Sequence, residues 1–294
     1  MSAISVTARL LGPASFLRDS RVLTLPPASA SLLALLLVSD GPVDRHRLAE
    51  VVGPNGTEEV VRKRINTAVW RLRRVLEPPG VAGHSVVATV SSGLALRCQA
   101  WVDVREFESA CAHLPDPRQW DLAVATVVTR GLQLYQGEFL DGFESEWALA
   151  ERGRLADTHL SALVRLAQWH RLRGETHQVI DLARRAVDLE PMLEEVHGLL
   201  MRAYVDAGLP ELAARQLDRC RTILHTELGV EPTPETVAAA KGRAPSVNES
   251  DVGLALRALE RSHAELRELA RQLSRSLQQL DQQQQSLRAR LDQS

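Results

Sequence analysis

The sequence predicts a mainly α-helical protein with a small β-sheet at its N-terminal end, helical repeats behind it and a coiled coil at its C-terminal end. Three patterns lead there: alternating apolar runs confined to the first hundred residues, helix punctuation that recurs after 34 residues in the middle, and leucine at every seventh position near the end. Composition agrees. Of 294 residues 45% are hydrophobic but only 4% aromatic, and Leu, Val and Ala dominate, as in helices packed on helices. That length suits two domains with an appendage.

In chain order, Ile4 to Leu25 reads as short strands broken by Gly12-Pro13 and by Arg18-Asp19-Ser20, hence a small antiparallel sheet. Ala28–Ser39 is apolar on nearly every face and is expected as a helix buried on all sides, ended by Asp40-Gly41-Pro42. Asp44 can cap a second helix, Arg45–Val52, which Gly53-Pro54-Asn55-Gly56 breaks. A third begins at Thr57, whose hydroxyl is expected as its cap, carries Glu58 and Glu59 at its positive end, and stops near Glu77 before Pro78-Pro79-Gly80. Ser85–Val90 and Leu94–Arg97, separated by Ser91-Ser92-Gly93, form a hairpin signal. Sheet, three helices and hairpin together make a winged helix-turn-helix over residues 1–99.

From Trp101 to about Leu228 the pattern is helical almost throughout, with Pro and Gly punctuation, and residues 100–240 are expected as a second domain. Gly174 and Gly208, His170 and Tyr204, and Ala186 and Cys220 are pairs 34 residues apart, the period of a TPR-like repeat, in which helix pairs stack because one pair cannot bury its own apolar face. Residues 241–250 read as a linker, and the stretch from Gly229 to Ser250 as a domain end running into it. In residues 251–294, Leu259, Leu266, Leu273, Leu280 and Leu287 interleave with Leu256, Leu277 and Leu291 along one heptad seam. A coiled coil that makes the chain a homodimer or higher homo-oligomer is the expectation; the alternative is a helix folded back on its own chain.

Charge separates the parts. Residues 1–100 carry 12 Arg/Lys against 7 Asp/Glu, residues 101–294 carry 23 against 30, and the net charge is −2. Only the first part is drawn to a polyanion. Within it, Arg62 to Arg74 holds six basic residues and no acidic one. A 100° step per residue places Val61, Ile65, Ala68, Val69, Leu72 and Leu76 on one face of the third helix and Lys63, Thr67, Trp70 and Arg74 on the other, with Arg64, Asn66 and Arg71 beside them. One face packs while the other is cationic, as a helix in a major groove requires: Arg and Lys reach phosphates and guanine edges, and Asn66 can read adenine. Lys63, Arg64, Asn66, Thr67, Arg71 and Arg74 are therefore the candidate contacts with double-stranded DNA. Trp70 is expected to pack against the wing or the second domain, the alternative being a sugar or a thymine methyl.

Other chemistry is thinly represented. Cys98, Cys111 and Cys220 lack CxxC spacing, so neither a disulfide framework nor a zinc site is indicated, and buried thiols are expected. Phosphate-binding loops, HExxH helices and nucleophile elbows are missing, so no enzyme activity, cofactor or catalytic residue is expected. His170, His177, His197 and His225 are expected to be packed or solvated, and Glu144, Glu146 and Glu151 to be structural. The longest apolar run, Leu32 to Val38, is too short for a membrane span, and the N-terminus lacks a signal-peptide pattern; a soluble, cytoplasmic protein is expected.

Several segments together resemble the Streptomyces antibiotic regulatory protein (SARP) family, whose members join an OmpR-type winged helix to a bacterial transcriptional activator domain (BTAD). They are Leu32–Leu37, Val43-Asp44-Arg45-His46-Arg47-Leu48, Trp70-Arg71-Leu72-Arg73-Arg74-Val75-Leu76, Val102-Asp103-Val104-Arg105-Glu106-Phe107-Glu108, the stretch from Glu146-Trp147 to Arg154-Leu155, and that from Thr226 to Glu235. The likeness covers about residues 4–240. It implies an activator that binds promoter repeats and recruits RNA polymerase holoenzyme, commonly for secondary-metabolite genes. It also places Arg71, Arg73 and Arg74 in the basic recognition segment and makes Ser91 and Ser92 part of the wing. The chain departs from the pattern in having Val51-Val52-Gly53 for Leu-Trp-Gly and Leu94 for a Tyr after Gly93. The competing expectation is a TPR-like interaction scaffold whose winged helix no longer binds DNA.

Overall fold

The computed structural model describes residues 5–53, 56–77, 86–91 and 93–242. The coiled-coil segment, the wing residue Ser92 and most of the linker lie outside the described residues. The described chain divides into two compact units, one running to Glu190 and one from Pro191 onward.

In the first unit, β1 (Ser5–Arg9), β2 (Ser15–Arg18) and β3 (Arg21–Val22) form the expected antiparallel meander. Asp19 and Ser20 make its tight turn with positive φ of 47° and 66°. A fourth strand, β6 (Gln99–Val102), pairs parallel to β1 and completes the order β3-β2-β1-β6. This corrects the expectation of helix from Trp101 onward. The residues Gln99-Ala100-Trp101-Val102 are too few to show a period of two, and their strand state is fixed by the free edge of β1. The strand also spans the expected domain boundary between residues 99 and 100.

Alternate residues of the sheet, Val6, Ala8, Leu10, Phe16 and Val102, are buried. The helix α1 (Pro27–Val38) is enclosed on all sides, with every residue from Ser29 to Leu37 buried. α2 (Arg45–Val52) starts where Asp44 accepts a hydrogen bond from the Arg47 N–H at 3.0 Å, a side-chain cap on an otherwise orphaned helix donor. α3 (Glu58–Leu76) follows, but the Thr57 side chain makes no capping bond, contrary to expectation. The hairpin of β4 (Val87–Val90) and β5 (Gly93–Leu96) closes the winged helix.

The link to the next helices is polar and buried. α4 (Asp103–Cys111) begins with Asp103, whose carboxylate accepts from the backbone N–H groups of Leu10 (2.8 Å), Leu11 (3.0 Å) and Val104 (2.8 Å). Burial pushes this carboxyl up from its ordinary range; the three amides and the Arg9 charge pull it back. Beyond a 3₁₀ turn at Pro117–Gln119 come α5 (Leu122–Leu134) and the long α6 (Glu146–Leu172). The intervening loop pairs with the end of β1, Leu140 N–H donating to Leu10 O at 2.8 Å, and Arg152 of α6 donates to the carbonyls of Phe139, Leu140 and Phe143. α7 (Thr176–Leu189) folds back on α6.

In the second unit α8 (Glu194–Asp206) and α9 (Pro210–Leu228) form another helical hairpin. The 34-residue recurrence is structural. Gly174 and Gly208 have φ of 71° and 73°, and each helix end closes with the same pair of backbone bonds: Glu175 N–H to His170 O and Gly174 N–H to Arg171 O in one copy, Leu209 to Tyr204 and Gly208 to Val205 in the other. Ala186 and Cys220, equivalent positions, are both fully buried. A last helix, α10 (Pro234–Ala240), packs on α8 and α9. Its sequence reads only as a domain end running into a linker. Thr233 caps it and donates to Glu194 of α8, so tertiary contact stabilises a helix of seven residues that is too short to hold alone.

Candidate nucleic-acid interface

The inward side of α3 is built as the periodicity requires: Ala68, Val69, Leu72 and Leu76 are buried, and Val61 and Ile65 half-buried. Packing that face on α1 and α2 turns Lys63, Arg64, Asn66, Thr67, Trp70, Arg71 and Arg74 outward, and all seven are exposed.

Their surroundings differ. Arg71 makes no ion pair among the described residues. The Arg74 guanidinium lies 5.4 Å from the centroid of the Trp70 ring. Asn66 and Thr67 present uncharged donors and acceptors between these cations. Lys63 pairs with Glu59 one turn earlier at 3.0 Å, an exposed contact that a phosphate can displace. Arg64 donates to the Gly53 carbonyl at 3.2 Å and so braces the break between α2 and α3.

Arg73 departs from expectation. It is half-buried, and its guanidinium donates from Nε and Nη2 to the Val87 carbonyl at 3.0 and 2.8 Å and from Nη2 to Thr89 Oγ1 at 3.1 Å. The charge that family resemblance places among the DNA contacts fastens the hairpin to α3 instead. The reason is rotation: Arg73 lies one residue from the buried Leu72, on the flank that meets β4. Arg18 of β2 likewise donates to Val75 O at 3.0 Å, so the C-terminal end of α3 is held from two sides.

The wing is anchored at its other strand. Val43 and Leu94 exchange both backbone hydrogen bonds, at 2.8 and 2.9 Å, and Leu94 buries its side chain where the family pattern has Tyr. Gly93 has φ of 148°, and a Cβ there would stand 1.9 Å from the Val43 carbonyl oxygen. Only glycine permits this approach. Ser91 is exposed at the wing tip.

Two exposed cations escaped the sequence-based selection. Arg62 belongs to the same basic run on α3, and Arg45 opens α2, the helix that crosses the backbone in helix-turn-helix proteins. Trp70 is 57% exposed and so does not pack against the wing or the following helices as expected.

The remaining candidates are structural. Arg154 bridges Glu108 of α4 and Glu151 of α6. His197 is buried, with Nδ1 accepting from Gln216 at 2.7 Å and Nε2 donating to Pro191 O at 2.8 Å, and burial holds its pKa below the usual value. His170 contacts Glu175 at 2.5 Å. Cys111 and Cys220 are buried, and burial raises both thiol pKa values, Cys220 to about 11. No helix among the described residues is long and apolar enough to cross a membrane.

Residues 102–242 match the family described as the bacterial transcriptional activator domain. The regulatory protein AfsR of Streptomyces coelicolor is 27% identical over 231 residues, which make up 76% of this chain but only 23% of AfsR. The transcriptional regulatory protein MoaR1 of Mycobacterium tuberculosis is 24% identical over 240 residues, 79% of this chain and 77% of MoaR1. Among solved structures, Mycobacterium tuberculosis EmbR, in complex with a low-affinity phosphopeptide, shares the fold with a TM-score of 0.68 at 19% identity, over 90% of this chain and 70% of that one. With a winged helix ahead of the residues that match the bacterial transcriptional activator domain, and with regulatory proteins among the chains it is similar to, the chain resembles the Streptomyces antibiotic regulatory protein family in the order of its parts.

Proposed function

We propose that this protein is a DNA-binding transcriptional activator that places α3 in the major groove and the β4–β5 wing against the neighbouring backbone. The observation that carries the reading is the outward face of α3, an acid-free stretch on which Arg71, Arg74, Asn66 and Thr67 are exposed while Arg73 and Arg18 hold the helix in place. Arg71, Arg74, Lys63 and Arg62 supply charge for the phosphates. Asn66, Thr67 and the arginines have the donors and acceptors to read base edges. Arg64 and Arg73 act one step removed, by positioning the helix and the wing; Ser91 and Ser92 contribute at the wing tip.

On this reading the chain works in the cytoplasm as a homodimer or higher homo-oligomer joined through Leu256, Leu259, Leu266, Leu273, Leu277, Leu280, Leu287 and Leu291, binds promoter repeats, and recruits RNA polymerase holoenzyme, in keeping with family members that control secondary-metabolite genes. Selection from a random duplex library with the full-length protein tests it. A recurrent motif, with affinity falling steeply as salt rises, is the expected result; enrichment of no motif and no binding at low ionic strength would leave the interaction scaffold as the reading.

A further inference from the structure

The stripe along the outward face of α3 runs Lys63, Thr67, Trp70, Arg74, at the spacing that stacks residues turn upon turn. Three of these are polar and suit a groove lined with phosphates and base-edge donors and acceptors. Trp70 does not. Trp70 is 57% exposed within a cationic surface, whereas the helix buries Ala68, Val69, Leu72 and Leu76 on the other side. Tryptophan, with an apolar body and a polar N–H edge, is enriched where a surface meets a partner.

The occupant follows from what the major groove offers. Among base edges the 5-methyl group of thymine is the one apolar group that projects into the groove, set among hydrogen-bond donors and acceptors. The Arg74 guanidinium lies over the indole at 5.4 Å, within the range of a cation–π contact. That contact braces the ring against the next turn of the helix while the residue stays largely exposed. We infer that Trp70 is a specificity-determining residue that reads a thymine methyl within the binding site, with Arg74 as the positioning residue for its indole. The inference rests on the DNA-binding reading above and deepens it. The sequence pattern places Trp70 between Thr67 and Arg71, so the methyl it meets belongs to a base pair flanked by the pairs those side chains approach.

The test uses full-length protein and the duplex selected by it. Each thymine of the motif is replaced singly by deoxyuridine, which removes the methyl and nothing else, and affinity is measured for the wild type, Trp70→Ala and Trp70→Phe. Expected is one position at which deoxyuridine weakens wild-type binding about fourfold, the value of one buried methyl group. Trp70→Ala should be indifferent at that position while keeping the wild-type salt dependence, and Trp70→Phe should restore part of the discrimination. Because Trp70 is exposed, matching thermal unfolding of the variants is expected and confirms that they fold. If the wild type selects a motif yet binds thymine and deoxyuridine duplexes alike, or if Trp70→Ala keeps the methyl sensitivity, the inference fails while the DNA-binding reading stands. A wild type that selects no motif overturns both.

Discussion

Arg71 and Arg73 are two residues apart on α3 and stand in opposite surroundings. Arg71 is exposed, whereas Arg73 spends its guanidinium on Val87 O and Thr89 Oγ1. Arg71→Ala combined with Arg74→Ala should therefore flatten the log–log salt dependence of DNA binding by about 2, close to 0.9 per lost phosphate contact, with little change in unfolding by urea. Arg73→Ala should instead lower stability by about 1–3 kcal/mol in the same urea experiment, because three hydrogen bonds from a charged donor go and the hairpin loses its clamp. Sequence alone could not separate the two: both lie in one basic run, and only the position of β4 decides which of them is covered. His159 of α6 is another case that sequence did not single out. It is buried, stacks on Tyr135 with ring centroids 4.0 Å apart, and neither ring nitrogen has a hydrogen-bond partner among the described residues. Burial, helped by the Arg185 charge, lowers its pKa from 6.5 to about 4. The unfolded chain then binds the proton more readily than the folded one between these values, so stability is complete above pH 6.5 and is lost as pH falls toward 4, by roughly 3 kcal/mol. His197, shifted in the same direction, adds to this. Denaturant titrations across that window should show the loss, and His159→Phe, which keeps the ring stack, should reduce it.

At the level of elements, two glycines separate two uses of the same residue. Gly174, at the end of α6, has φ of 71° and open space around its missing Cβ, so Gly174→Ala should cost about 1 kcal/mol from backbone strain alone. Gly93 combines φ of 148° with a carbonyl that a Cβ would strike at 1.9 Å. Gly93→Ala should detach β5 from Val43, remove the wing and abolish specific DNA binding even where helical circular dichroism persists. The helices α1, α2 and α3 were legible because their apolar periodicity, the Asp44 cap and the Pro/Gly stops are local signals that agree with one another. The hairpin was legible from its turn residues. α10 was not, since Pro234–Ala240 is Ala-rich and short and gains its stability from Thr236 and Ala239 buried beside α8 and α9.

At the scale of the whole molecule, β6 and Asp103 join the winged helix to the activator helices. β6 completes the sheet, and one residue later the Asp103 carboxylate ties α4 to the end of β1. Asp103→Ala would strand the Leu10 and Leu11 amides without acceptors in a buried site, and a loss of about 2–4 kcal/mol is expected, read as a lowered midpoint of thermal unfolding. The heptad segment belongs to this scale too. Truncation after residue 242 should give a monomer by light scattering and weaken binding to a two-site promoter far more than to a single half-site, because the second contact is then no longer intramolecular.

The amino-acid sequence by itself determined that a winged helix precedes paired helices, the buried and outward faces of α3, the wing hairpin and the 34-residue recurrence, since each depends on spacing within a dozen or so residues or on simple repetition. Tertiary structure alone decided that Gln99–Val102 is a strand, that Arg73 is a fastener rather than a free cation, that Trp70 stands uncovered and that α10 forms. These outcomes depend on which partner arrives from a distant part of the chain, and local pattern carries no information about a hydrogen bond or a buried face supplied from elsewhere.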